Sequence, residues 1–158
     1  MRVMGIRAGT DNVRYVVLET DMTGAVLWVN AAEEHKWLIP KSATTKQAKL
    51  RETNKEFERL IKKYNPEQVL LKLAESMPGR AGGSPDRIAV EAVITLAADQ
   101  HGKSVFERRY QQLKRDSKDK MNTSTVEGYV LAHVAKPASG WDRDLADAHA
   151  VALRALGK

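Results

Sequence analysis

Apolar positions fall into short runs near the start of the 158-residue chain and into helix-spaced stripes after it. Residues 2–7, 13–20 and 25–30 are rich in Val, Leu, Tyr and Trp, the residue types that suit a pleated, half-buried strand. Thr10-Asp11-Asn12 separates the first run from the second, and Asp21-Met22-Thr23-Gly24 the second from the third. That spacing predicts a three-stranded antiparallel meander with short hairpins. A polar connection containing Pro40 leads to a helix predicted over 44–64. There Leu50, Phe57, Leu60, Ile61 and Tyr64 recur at helical spacing with Lys and Arg opposite them, and Asn65-Pro66 ends the pattern.

The segment "QVLLKLA" (68–74) is apolar on both faces except for Lys72, as expected of a mid-sheet strand covered by helices on both sides. A loop, "MPGRAGGSPD", closes on Ser84-Pro85, an N-cap followed by proline in the first helical turn. The helix predicted over 85–100 carries small apolar residues (Ile88, Ala92, Val93, Leu96, Ala97) suited to close packing on a sheet. Lys103 to Arg109 reads as a last strand entering a basic, irregular segment, and helices are predicted over 121–135 and 142–156. The order βββαβα(β)αα over residues 1–158 predicts one α/β domain. Its expected form is a mixed five-stranded sheet with three antiparallel strands first and helices on both faces, the topology of the RNase H-like (ribonuclease H-like) fold.

Composition narrows the function classes. A chain with 42% hydrophobic and 29% charged residues is an ordinary globular domain, and the absence of cysteine excludes disulfides and thiolate metal or redox chemistry. No apolar run approaches the ~18 residues a membrane span needs, so no membrane association is expected. The start "MRVMGIRAG" has no secretory h-region, and the expected location is cytoplasmic. The net charge of +6 is concentrated: residues 41–64 carry +5 and residues 102–120 carry +4, on an otherwise slightly acidic body. Two basic segments are the electrostatic footprint of a nucleic-acid binder, although solvated helix faces produce the same pattern.

Four stretches resemble the RuvC-type Holliday-junction resolvases. "MGIRAGTDNVRYVVLE" is similar to that family's first hairpin, G-I-D-P-G-[ST]-x-x-x-G-[YW]-[GA]-V, with Gly5, Ile6, Gly9, Thr10, Tyr15 and Val17 in place. "NPEQVLLKLAES" resembles its fourth strand, "KSVFERRYQQLKR" its fifth, and "DLADAHAVA" its last helix, all in order along the chain. The resemblance implies a nuclease that holds two Mg²⁺ ions on carboxylates from the first strand, the fourth strand and the last helix. Carried over residue by residue, those positions are Arg7, Lys72, Asp144 and Asp147. The helix acids are retained and both strand acids are cations.

At about 4 Å, a unit charge pair is worth roughly 4 kcal/mol at an effective dielectric near 20, so two cations in place of two acids repel a dication strongly. Neither guanidinium nor ammonium offers it an oxygen ligand. The expected site is therefore metal-free and without a cofactor, with Arg7 and Lys72 meeting Asp144 and Asp147 as internal salt bridges. Asp142, Asp144 and Asp147 also have a purely structural reading, as cap and dipole partners in the first turns of a helix. Arg7 and Lys72 equally read as snorkelling side chains at strand ends.

The expected function is a catalytically inactive RuvC-like protein that binds structured or branched nucleic acid, DNA in preference, or serves as a subunit of a nucleic-acid-processing assembly. Candidate phosphate contacts are Arg7, Lys72, Arg80, Lys103, Arg108, Arg109, Lys114 and Arg115. Tyr110 is a candidate for stacking on a base or for the core. The resemblance also implies a homodimer through the helix packed on the sheet. Two alternatives remain: a Mg²⁺-dependent nuclease on a rearranged set of Asp144, Asp147 and Glu75 or Asp142, and a protein-interaction module. His35, His101, His133 and His149 show no ligand spacing and are expected on the surface or on helices. The loop Gly79 to Ser84 lacks the lysine of a phosphate-binding P-loop. Trp28 is expected in the core and Trp37, in "HKWLIP", at a partner contact.

Overall fold

The first hairpin forms as its pattern predicts. Strand β1 (Arg2–Ala8) pairs antiparallel with β2 (Asn12–Thr20), and the register sets Arg7 opposite Arg14. The computed structural model describes residues 1–75, 84–113, 121–122, 124–137 and 139–158. Two short strands follow on the outer edge of β2: β3 (Val26–Trp28) pairs with Leu18–Thr20, and β4 (Lys36–Leu38) with Asn12–Arg14. The sheet thus has six strands where the sequence suggested five. β2 is nine residues long and β3 covers only one end of it, so the "KWL" of the supposed connection pairs with the other end. Trp37 packs edge-on against Phe57 at 6.3 Å, which anchors that strand to the core and gives its ring an internal role in place of the expected partner contact.

Helix α1 (Lys46–Tyr64) starts at Thr45, whose hydroxyl accepts the Ala48 N–H at 3.1 Å, and stops at Asn65 in the left-handed conformation. The chain returns as β5 (Gln68–Lys72), parallel to β1, then forms α2 (Pro85–Gln100) from a Ser84 cap, and β6 (Ser104–Arg108), parallel to β5. A single turn, α3 (Tyr110–Leu113), stands where an irregular segment was expected. The helix expected over 121–135 is confined to α4 (Val126–Leu131). Before it, the Asn122 side chain accepts the Ser124 and Thr125 N–H groups at 2.8 and 3.2 Å, a turn that delays the helix. Last comes α5 (Arg143–Ala155), capped by Asp142, which accepts the Leu145 N–H at 2.9 Å. Among the described residues, no helix is long and apolar enough to cross a membrane.

Strand alternation decides which face each residue serves. Met4, Ile6, Val69 and Leu71 face α1 and α2, whereas Val3, Val16, Leu18 and Leu70 face α5 and α4. Gly5 and Arg7 share the α5 face of β1. A Cβ at Gly5 would lie 2.0 Å from the Ala148 carbonyl oxygen and 2.9 Å from the Ala152 Cβ. Only glycine lets α5 seat directly on β1, and the small Ala148 and Ala152 complete the close approach. Gly5→Ala is expected to cost about 1–3 kcal/mol through overpacking, read as a lower urea midpoint at unchanged slope.

Burial of α5 carries a histidine with it. His149 is fully buried, its Nδ1 bonded to the Leu145 carbonyl at 2.9 Å and its ring edge-on to Trp28 at 4.4 Å. Its Nε2 has no hydrogen-bond partner among the described residues. Burial, with a smaller contribution from the charge of His35, pushes its pKa down to about 4 from 6.5. Between those two values the unfolded chain binds the proton and the folded one does not, so stability is expected to fall as pH drops from 6.5 towards 4. The loss is about 3 kcal/mol. Urea titrations at pH 7 and pH 4.5 check this, and His149→Gln is expected to flatten that part of the profile.

Candidate functional site

The N-terminal turns of α5 lie over the C-terminal ends of β1 and β5, where alternation turns Arg7 and Lys72 towards the helix. Arg7 Nε donates to Asp147 Oδ2 at 3.2 Å and lies 3.6 Å from Asp144 Oδ1, while its Nη1 donates to the Ala8 carbonyl at 2.7 Å. Asp147 is 1% exposed, and its second oxygen, Oδ1, accepts the Tyr110 hydroxyl at 2.6 Å. Both carboxylate oxygens are thus engaged, one by a cation and one by a phenol. Burial, and after it the Asp147 charge, raises the Tyr110 pKa well above its ordinary value, so the proton stays on the phenol and the bond keeps its direction.

Lys72 behaves differently from the sequence expectation. Its ammonium, 2% exposed, does not bond either α5 acid; it donates to Glu75 Oε1 at 2.6 Å and to the Leu73 carbonyl at 2.8 Å. It also sits 3.8 Å from the centre of the Tyr110 ring, a cation–π contact. Glu75 reaches this face because β5 ends at Lys72, after which the chain no longer alternates. The same Glu75 oxygen accepts the Tyr110 N–H at 2.9 Å. Burial pushes the Lys72 ammonium down against the pull of Glu75 and Asp147. Burial would raise the Glu75 carboxyl, but Lys72 and the Tyr110 N–H overcome it and hold the group below its usual range.

Two further cations complete the cluster. Arg14, directly across the hairpin from Arg7, donates through Nε to Asp142 Oδ2 at 2.9 Å and through Nη2 to the same oxygen. Like charges directly opposite on a sheet repel, and here each has its own acid on α5. Arg87, buried on α2, donates to the Lys72 carbonyl at 3.0 Å and to Glu91 at 2.8 Å. Among the described residues, no three His, Asp or Glu side chains converge on a point that could hold a metal ion.

Of the residues singled out from sequence, Arg7, Lys72, Asp144 and Asp147 are brought to one place. Arg108 and Arg109 stand at the same end of the sheet, since β6 pairs Arg108 with Lys72; Arg109 Nε donates to the Ala74 carbonyl at 3.1 Å. Lys103 does not join them: it precedes β6 at the opposite end of the strand and donates to Asn65 Oδ1 at 2.6 Å. Arg80, Lys114 and Arg115 lie outside the described residues. Tyr110 is buried beneath Lys72, which gives it a core position within the site and leaves no free face for a base. Arg14, Arg87 and the role of Glu75 escaped the sequence reading. The hairpin register, counted back from the Thr10 turn, was the signal that sets Arg14 against Arg7.

No protein-family model matches the sequence, and no curated protein matches it. Solved structures do. Thermus thermophilus RuvC aligns with 97% of this chain and 92% of its own, at a TM-score of 0.77 and 17% identity. The fowlpox virus resolvase in complex with Holliday junction DNA aligns with 99% of this chain and 97% of its own, at 0.60 and 13%. The yeast mitochondrial Holliday junction resolvase covers 95% of this chain and 75% of its own, at 0.55 and 15%. The chain therefore has a RuvC-like, RNase H-like resolvase fold.

The cluster makes unequal demands on its members. Asp147→Asn leaves the largely buried Arg7 short of its closest counter-charge and is expected to cost about 3 kcal/mol. Lys72→Met removes a buried ammonium and frees the part-exposed Glu75 to hydrate, so the expected change is under about 1 kcal/mol. Urea denaturation of the two variants side by side checks the contrast.

Proposed function

We propose that this RuvC-like protein binds structured or branched nucleic acid, DNA in preference, and does not hydrolyse it. The observation that carries the second half is the state of Asp147, whose two oxygens are held by Arg7 and Tyr110. Metal-dependent hydrolysis in this fold would need carboxylate oxygens free to meet Mg²⁺ at about 2.0–2.1 Å in octahedral geometry. Here Asp147 is engaged, Glu75 is bound to Lys72 and the Tyr110 N–H, and Asp142 is bound to Arg14 and to the helix it caps. Asp144 lies beside the Arg7 guanidinium. That donor set does not fit a pair of dications, and the proposed protein works without a metal or other cofactor, in a cytoplasmic setting.

Support for nucleic acid comes from the neighbours and from where charge is left over. Thermus thermophilus RuvC and the fowlpox virus resolvase are each described with Holliday junction substrate. In α1 much of the positive charge is spent locally: Lys46, Lys49, Lys55, Arg59 and Lys63 pair with Asp86, Asp11, Glu52, Glu56 and Glu33. Arg108 has no carboxylate partner among the described residues, and Arg109, whose charge is felt by Glu75, stands with it beside the ionic cluster, where both are placed to meet phosphates. A homodimer belongs to the same proposal. Ile88, Ala92 and Leu96, all exposed, form one stripe along α2 at four-residue spacing, an apolar face for a second copy.

Binding of a four-way junction across a salt series tests this reading. The expected result is a steep negative dependence of affinity on salt, with the slope reduced by about one in Arg108→Ala and again in Arg109→Ala. No cleavage is expected with Mg²⁺ or Mn²⁺. Cleavage that disappears in Asp147→Asn overturns the non-hydrolytic reading, and no binding at low salt overturns the nucleic-acid reading in favour of a protein-interaction role. Restoring the acids by Arg7→Asp with Lys72→Glu is expected to create metal-dependent thermal stabilisation that the parent lacks.

A further inference from the structure

The α5 face of the sheet carries a second cleft, which borders the ionic cluster at Arg108 and runs away from it to Arg154. It has a volume of about 480 Å³ and lies between β5, β6, α3 and the C-terminal turn of α5. Arg154, one of its walls, is seven residues beyond Asp147, about 10 Å further along the helix axis. Gln68, Phe106, Arg108 and Gln112 line much of the remainder, and among the described residues no Asp or Glu contributes to it.

Every cation of the ionic cluster has a carboxylate within reach, but neither arginine of this cleft does among the described residues. Arg154 makes no side-chain hydrogen bond or ion pair among those residues; its place in the last turn of α5 complements the helix dipole, which accounts for the residue type but leaves its five donors unused. Arg108 is held in place: Nη1 donates to the Glu107 carbonyl at 2.8 Å, and the guanidinium lies over the Phe106 ring, 5.5 Å from its centre. Two arginines lining one cleft without an acid among the described residues favour an anion there, and the guanidinium fork of N–H groups matches phosphoryl oxygens. A guanidinium laid on an aromatic ring is in turn a flat platform for a nucleobase, and two glutamine amides can each donate to and accept from a base edge. The volume falls in the range of small-molecule sites.

We propose that this cleft binds a nucleoside phosphate. Arg154 and Arg108 hold the phosphoryl group, and the base lies against the Phe106–Arg108 stack with Gln68 or Gln112 at its edge. The same chemistry is presented by a free nucleotide and by the phosphorylated end of a nucleic-acid strand. The proposal rests on the nucleic-acid reading only through Arg108, and Arg154 separates the two.

The test is calorimetric titration of the full chain with dAMP, with deoxyadenosine, with inorganic phosphate, and with a single-stranded oligonucleotide with and without a 5′-phosphate. dAMP is expected to bind saturably, at least about tenfold more tightly than deoxyadenosine or phosphate alone, and Arg154→Gln to weaken it about tenfold. Phe106→Leu is expected to weaken dAMP but not phosphate. An unchanged melting temperature in Arg154→Gln shows that the fold is intact. If the 5′-phosphorylated oligonucleotide alone gains affinity over its unphosphorylated form, and Arg154→Gln removes the gain, a strand end is the ligand. If only dAMP responds to Arg154→Gln, a free nucleotide is. Absence of saturable binding by both dAMP and the phosphorylated end overturns the proposal, as does binding indifferent to Arg154→Gln or phosphate binding as tight as dAMP. Loss of junction binding with dAMP binding retained would count against the nucleic-acid reading alone.

Discussion

Asp147 is a carboxylate almost wholly removed from water, and such a charge persists only where it is both paired and hydrogen-bonded. The architecture around it supplies both. Gly5 lets α5 descend onto β1 until the Ala148 backbone fills the space a side chain would need. That descent brings Asp147 within reach of Arg7 from below and of Tyr110 from α3. The same seating sets Asp142 against Arg14, so the six residues from the Asp142 cap to Asp147 engage two neighbouring strands through their acids. A helix docked by apolar contact alone would leave these strand cations buried without counter-charges.

The cluster is close to self-neutralising, and that has chemical consequences. Arg7 and Arg14 face one another across the hairpin, Lys72 lies on the neighbouring strand, and Asp142, Asp144, Asp147 and Glu75 interleave with them. Each acid is committed to a cation on the protein itself, where a metal-binding arrangement would leave acids facing one another and needing an external cation. Strand ends and helix start converge here, and the attraction that holds them together is internal.

Surplus positive charge follows a different rule from the total. The basic face of α1 carries the densest run of lysine and arginine, yet most of those side chains find an acid one turn away or on an adjacent loop. Exposed pairs of that kind add little stability and little field. Arg108 and Arg154 have no such acid among the described residues, and they lie at the ends of β6 and α5. The β6 edge therefore carries unspent charge of its own, which the raw count of basic residues in segment 41–64 would not have suggested.

Local pattern in the sequence was enough for the alternating strands, the Ser84 and Asp142 helix starts, the Asn65-Pro66 stop and the general order of elements, because hydrophobic period and turn chemistry act over a few residues. The convergence of Arg7, Lys72, Asp144 and Asp147 was also legible, through the resemblance of their four stretches to the RuvC-type resolvases. Which of them bond was not. Lys72 takes Glu75 because β5 ends at Lys72, two residues before the end of the predicted strand 68–74, where its pairing with β6 stops. Tyr110 and Arg14 belong to the cluster through non-local register, and β4 exists because β3 leaves half of β2 uncovered. The sequence by itself determined that cations stand where the RuvC-type resemblance implies acids; only the tertiary structure decided which acid answers each cation, because that choice depends on strand register and on how closely Gly5 lets a helix approach.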